Sequence, residues 1–270
     1  MTPNVKILFV GGGNMSQAII AGFIKKHFPP LNIFVADRNE DKLAALKSNY
    51  GVNTSLSLEE FTPLANIIFL SVKPQGAKIA CEHIKSLVAD PTLLFISVMA
   101  GITIEKLHGW LGQDALIVRT MPNTPALIQK GATGMFASPN VSEAHRRDAE
   151  SFLSAIGITA WVPRETDLNI ITALSGSGPA YYFYFIELMR KTAIEMGLSP
   201  IIADSFAIQT AYGAAALADA HEKDVIELRQ QVTSKKGTTE AAIKVMESSN
   251  IGSVFTQAMR ACAERCIRAK

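Results

Sequence analysis

Cysteine is scarce in this chain: Cys81, Cys262 and Cys266 are the only three in 270 residues. An odd count, with two members four apart on a helical pattern, closes no useful loop. A disulfide framework is therefore excluded, and reduced thiols in a cytoplasmic protein are expected. Charge of one sign is also lacking. The net charge is +2 and no dense Lys/Arg run interleaved with aromatics occurs, so nucleic acid is not an expected partner. No signal peptide is visible, because the first apolar run is only about one strand long and no small-residue cleavage site follows it. The longest uncharged stretch, 168–186, is interrupted by Ser175-Gly176-Ser177-Gly178-Pro179, so no membrane span is expected. The histidines His27, His83, His108, His145 and His221 show neither metal-ligand spacing nor pairing with a nucleophile. No metal site is expected.

What is present begins with Val5 to Ile20, VKILFVGGGNMSQAII. An apolar run, Ile7 to Val10, ends at three glycines and passes into helical spacing of Met15, Ala18, Ile19 and Phe23, which reads as strand, tight turn, helix. That is the opening of a dinucleotide-binding unit. Gly11 allows the turn, Gly12 extends it, and Gly13 admits a pyrophosphate, which the free N–H groups of a helix starting near Asn14 and Met15 would face. Ser16 stands where the third glycine of the G-x-G-x-x-G pattern usually lies, a small departure.

A second strand, Ile33 to Ala36, leads to Asp37-Arg38 and a helix from Glu40 to about Tyr50, ended by Gly51. The strand tip carries two opposed signals. Asp37 suits the ribose 2′-hydroxyl of NAD, and Arg38 suits the 2′-phosphate of NADP. Ser57-Leu58-Glu59-Glu60 is a capping-box pattern that predicts a short helix. Continuous apolar runs at 67–72, 93–98 and 116–120 read as strands buried on both faces, with helices between them. The alternation predicts an α/β fold, a doubly wound Rossmann-type parallel sheet with ligands at the carboxyl ends of its strands. Weaker strands at 133–137 and 159–162, with a helix between, extend one edge of the sheet.

Past Pro163 the pattern becomes all helical, which divides the chain into a nucleotide domain over 1–163 and an all-α domain over 164–270. Helices are predicted at 168–174, 179–196, 200–220, 224–232, 239–247 and 253–270. Alanines spaced along 200–220 suit a bundle centre or a subunit interface. Two loops, 175–179 and 234–239, offer hydroxyls and free N–H groups at helix starts, a setting for a carboxylate or phosphate. Scarcity of nucleophiles is compatible with hydride transfer, where the cofactor supplies the reacting group and the protein supplies orientation and a proton.

These residues resemble the pyrroline-5-carboxylate reductase family nearly end to end. The resemblance rests on Val10 to Met15, Val72-Lys73-Pro74, Met121-Pro122-Asn123-Thr124-Pro125, Ser175 to Tyr181, and Ser234 to Thr239 followed by Glu240-Ala241-Ala242-Ile243. It implies NAD(P)H-dependent reduction of 1-pyrroline-5-carboxylate to L-proline, the last step of proline biosynthesis, by a homo-oligomer built from dimers. By the same resemblance Thr239 hydrogen-bonds the ring nitrogen, Ser234, Gly237 and Thr238 hold the substrate carboxylate, and Glu222 is a candidate proton relay. Val72, Lys73, Pro74, Met99, Ala100 and Gln231 fall on cofactor contacts. Arg38 favours NADPH, with NADH left open by Asp37. Lys235-Lys236 departs from the family, which commonly has Pro-Gly there.

Two other readings compete. A 3-hydroxyacid dehydrogenase needs a lysine four residues after a Gly-x-Gly, where this chain has Tyr182. A non-catalytic NADP-binding sensor or scaffold has no use for Ser234 to Thr239.

Overall fold

The structure, a computed structural model, describes residues 4–268, with side chains as far as Cys266. It forms two compact units. One holds the chain to Ser177 together with the end of the last helix from Cys262; the other spans Gly178–Ala261.

The first unit is a single eight-stranded sheet. Its strands are β1 (Ile7–Val10), β2 (Ile33–Ala36), β3 (Asn53–Ser55), β4 (Ile67–Leu70), β5 (Leu94–Ser97), β6 (Leu116–Met121), β7 (Gly131–Ala137) and β8 (Gly157–Trp161), in the order β3-β2-β1-β4-β5-β6-β7-β8. Strands β1, β2, β4 and β5 are buried along their whole length, as uninterrupted apolar runs require. The helices of this unit are α1 (Asn14–Lys25), α2 (Glu40–Tyr50), α3 (Pro74–Leu87), α4 (Ile104–Leu111), α5 (Glu143–Leu153) and α6 (Asp167–Ile171). They cover both faces. Phe9 and Phe69 belong to one core, with Phe23 of α1 and Phe152 of α5, whereas Leu8, Ile68 and Leu70 belong to the other, with Ala77, Cys81 and Ile84 of α3. Successive strand residues thus feed opposite cores. Strand order reverses between β1 and β4, where such sheets open a crevice.

The last two strands extend the sheet edge as expected, with one turn of direction. Strand β7 runs antiparallel to β6, and β8 runs parallel to β7. The β6–β7 connection over 122–130, which contains only a short 3-10 turn at Thr124–Ile128, is too brief for a parallel crossover.

Two expectations need correction, and one strand was not foreseen. The pattern at 57–60 starts no α-helix; the Ser57 hydroxyl donates to Glu59, and Glu59 also meets His83 at 2.8 Å, so the capping partners are diverted and only a 3-10 turn forms at Thr62–Leu64. Strand β3 escaped the apolar-run criterion because Asn53-Thr54-Ser55 is polar and pairs at the edge. The segment 175–179 is no open loop either. Helix α6 runs into a π-helical turn at Thr172–Gly176, the Ser177 N–H donates to the Thr172 carbonyl, and the next helix starts at Gly178. Gly176 of that turn meets Met121 of β6 and α6 packs on β7, and the contact boundary falls at Ser177, later than the polar linker at 164–167.

The second unit contains α7 (Gly178–Glu195), α8 (Pro200–Ala220), α9 (Val225–Gln231), α10 (Thr238–Ser248) and most of α11 (Ile251–Arg268). The last two residues of the helix predicted at 253–270 lie outside the described residues. Ser199 caps α8 and Pro200 occupies its first turn, as predicted. Arg190 of α7 pairs with Asp204 of α8 at 3.1 Å, and Phe185 stacks on Phe255 of α11. Helix α8 buries only Ala203 and Ala207, while Ile201, Phe206 and Tyr212 stand mostly exposed, so within this unit it is not a bundle centre. It is the one helix among the described residues long and apolar enough to cross a membrane by length and composition.

Candidate active site

The nucleotide-side residues converge at the carboxyl ends of β1, β2, β4 and β5. Gly11 has φ +103°, and a Cβ there would lie 2.8 Å from the Ser71 carbonyl oxygen, so only glycine fits between β1 and β4. A Cβ on Gly12 would meet the Leu46 side chain at 2.9 Å. Around Gly13 nothing lies within 4 Å of that position, so the turn is open on the side where α1 begins. Helix α1 has no side-chain cap, which leaves its first N–H groups, from Asn14 and Met15, for a ligand.

Three side chains hold this turn. Ser16, fully buried, donates its hydroxyl to the Gly11 carbonyl at 2.5 Å, Gln17 Nε2 donates to the Gly12 carbonyl at 3.2 Å, and the Gly12 N–H donates to Asp37 Oδ2 at 2.7 Å. The serine that departs from the glycine pattern is thus a strut. Asp37 Oδ1 takes the Asn39 N–H at 2.9 Å. Arg38 is exposed and has no ion-pair partner among the described residues.

On the neighbouring strand ends, Val72 is partly buried and Lys73-Pro74 are exposed at the start of α3. Met99 is buried, with its N–H bonded to Ser97 Oγ at 3.3 Å, and Ala100 is exposed just before Gly101 at φ +76°. Two polar groups here were missed in the sequence. The Ser71 hydroxyl is buried without a partner at the end of β4, an orphan that suits a cofactor in the crevice; it adjoins Val72 and carries no other sequence signal. Asn123, 8% exposed, donates to the Ser175 carbonyl at 3.0 Å and accepts the Ala132 N–H at 2.9 Å, joining two motifs that look separate in the sequence.

The second unit holds the other set. Ser234-Lys235-Lys236-Gly237 is a tight turn closed by Gly237 N–H to Ser234 carbonyl at 2.9 Å, and a Cβ on Gly237 would collide with Ser234. Thr238 and Thr239 are exposed in the first turn of α10, whose N-cap has no side-chain bond. Glu240 Oε2 accepts the Lys236 N–H at 2.9 Å and meets Lys244 at 3.2 Å, and these contacts hold its carboxyl below the usual range. Gln231 ends α9 and Glu222 lies between α8 and α9, both exposed. Among the described residues no cluster of three or more His, Cys, Asp or Glu could hold a metal.

The sequence of a pyrroline-5-carboxylate reductase from Pseudomonas aeruginosa is 38% identical over 260 residues, covering 96% of this chain and 95% of that protein. The chain belongs to the pyrroline-5-carboxylate reductase family. The reductase of Haemophilus influenzae is 40% identical over 260 residues, with 96% and 95% covered. A solved pyrroline-5-carboxylate reductase of Coxiella burnetii superposes with a TM-score of 0.92 at 40% identity, covering 97% of each chain. A pyrroline carboxylate reductase of Plasmodium falciparum, solved with NADP bound, gives 0.88 at 27% identity over 99% of each. A family model described as pyrroline-5-carboxylate reductase dimerisation matches residues 165–268, and one described as NADP oxidoreductase coenzyme F420-dependent matches residues 6–101. Family membership sets aside both the 3-hydroxyacid dehydrogenase and the sensor readings.

Proposed function

We propose that this chain reduces the C=N bond of 1-pyrroline-5-carboxylate to L-proline, the closing step of proline biosynthesis, with NADPH as the preferred cofactor and NADH as a weaker one. The observation that carries the reading is identity to reductases along almost the whole chain, both units included. The bound cofactor supplies the hydride that reduces the imine carbon.

The protein's part is to hold and orient. In the first unit Gly11, Gly12, Gly13, Asn14 and Met15 receive the diphosphate, Arg38 meets the 2′-phosphate, and Val72, Lys73, Pro74, Met99 and Ala100 line the path along the strand ends. The open space at Gly13 and the unpaired Arg38 support this assignment. In the second unit Ser234, Gly237 and Thr238 hold the substrate carboxylate at the start of α10. Thr239 donates its hydroxyl to the ring nitrogen, Glu222 relays the proton that nitrogen gains, and Gln231 is a further cofactor contact. The Thr239 hydroxyl engages no protein group among the described residues, as a group kept for substrate requires.

The exposed apolar surface of α7 and α8, including Tyr182, Phe183, Phe206 and Tyr212, is buried against a second copy, making a homo-oligomer built from dimers. The free cysteines fit a cytoplasmic enzyme, with no membrane and no nucleic acid in its work.

The test is spectrophotometric. Purified protein oxidises NADPH when given 1-pyrroline-5-carboxylate, forms proline in equal amount, and leaves 3-oxoacids untouched; absence of proline would end the proposal.

A further inference from the structure

Three consecutive glycines make a turn that is costly to order, because each one loses more backbone freedom than any other residue. In this chain the cost is met before any ligand arrives. Both sides of Gly12 are tied down: its carbonyl takes Gln17 Nε2 and its N–H gives to Asp37 Oδ2. The Asp37 carboxylate is held in turn by the Asn39 N–H, and its own N–H reaches the Ser55 carbonyl of β3 at 3.3 Å. Asp37 therefore links the tips of β2 and β3 to the turn after β1. Each of its two oxygens accepts a backbone N–H, which fixes the carboxylate against the turn whether or not a ligand is bound.

We infer that Asp37 is a positioning residue that pre-forms the Gly11–Gly13 turn through the Gly12 N–H, and that it does not choose between the two nicotinamide cofactors. The choice falls to Arg38, whose guanidinium is exposed and unpaired beside it. This rests on the cofactor reading above. A rigid turn lowers the ordering cost of binding for NADPH and NADH alike, since both present the same diphosphate to it. A ribose reader behaves differently: its loss weakens NADH selectively, because NADPH carries a phosphate where NADH carries the hydroxyl it would bind.

The experiment measures dissociation constants of NADPH and NADH by titration calorimetry at high salt, where the bare charge of Asp37 is screened. Asp37→Ala removes two charge-assisted hydrogen bonds and is expected to raise both constants by a common factor of about tenfold. Asp37→Asn retains an acceptor for Gly12 and shows a smaller common rise, which keeps the test readable if the alanine variant fails to fold. In both variants the NADPH-to-NADH ratio stays within about twofold of wild type, whereas Arg38→Ser shifts it. A selective loss of NADH in Asp37→Asn overturns the inference, as does an Asp37→Ala that binds both cofactors as tightly as the wild type. Wild-type protein that binds neither cofactor would instead bring down the cofactor reading itself.

Discussion

Arg119 Nη1 lies 2.7 Å from Glu165 Oε1, and the same oxygen accepts the Ile104 N–H at 2.8 Å. The Arg119 side chain is 7% exposed and that of Glu165 is 24% exposed. One carboxylate thus joins the middle of β6, the start of α4 and the segment after β8. Glu165→Gln leaves a buried guanidinium without its counter-charge. It is expected to cost about 3 kcal/mol of stability, read from urea unfolding. A loss below about 1 kcal/mol would show that water replaces the partner.

Thr239 stands exposed in the first turn of α10, where the proposed function has its hydroxyl meet the ring nitrogen. Thr239→Ala is expected to lower kcat about a hundredfold, the scale of one hydrogen-bond donor aimed at the reacting group, with the NADPH dissociation constant unchanged. Thr239→Ser recovers most of the rate. Equal loss of turnover and cofactor affinity would contradict the assigned role.

Lys236 has φ +62°, a conformation glycine adopts freely and lysine does not. Lys236→Gly is expected to stabilise the protein by about 1 kcal/mol in thermal unfolding. It also removes a cation beside the turn proposed to hold the substrate carboxylate, so KM for the anionic substrate is expected to rise about twofold at low ionic strength and to match wild type at high salt. A KM difference that persists in high salt would assign Lys236 a direct contact instead.

Cys81 is fully buried against the sheet, and burial, with the Glu82 charge added, pushes its thiol up from 9.0 to about 12. In the unfolded chain the thiol ionises first, so between about pH 9 and about 12 the unfolded state holds fewer protons and stability falls as pH rises. Below that window the thiol is neutral in both states and contributes no pH dependence. Cys81→Ala is expected to flatten the alkaline decline in denaturation midpoint while lowering stability at neutral pH through the cavity it leaves. An unchanged alkaline slope would show that other groups govern it.

The apolar strands, the helices between them and the glycine turn were written in local patterns. Apolar runs of strand length flanked by helical spacing report burial on both faces, and Gly11 reports a turn that no side chain can enter. Those signals survive because they depend on neighbours a few residues away. Other features needed partners distant along the chain. Strand β3 is polar and exists because β2 offers it an edge; the pattern at Ser57 lost its helix to a glutamate drawn toward His83. Asp37 reads as a ribose ligand by position, and only the fold shows its Oδ2 accepting the N–H of Gly12, 25 residues earlier. Asn123 and Ser175, 52 residues apart, are joined only once β6 and the π-helical turn have packed. Sequence by itself determined the apolar strands and the helices between them, because propensity and periodicity are local. Tertiary structure alone decided which polar groups are already spent on each other, because a hydrogen bond answers to distance in space.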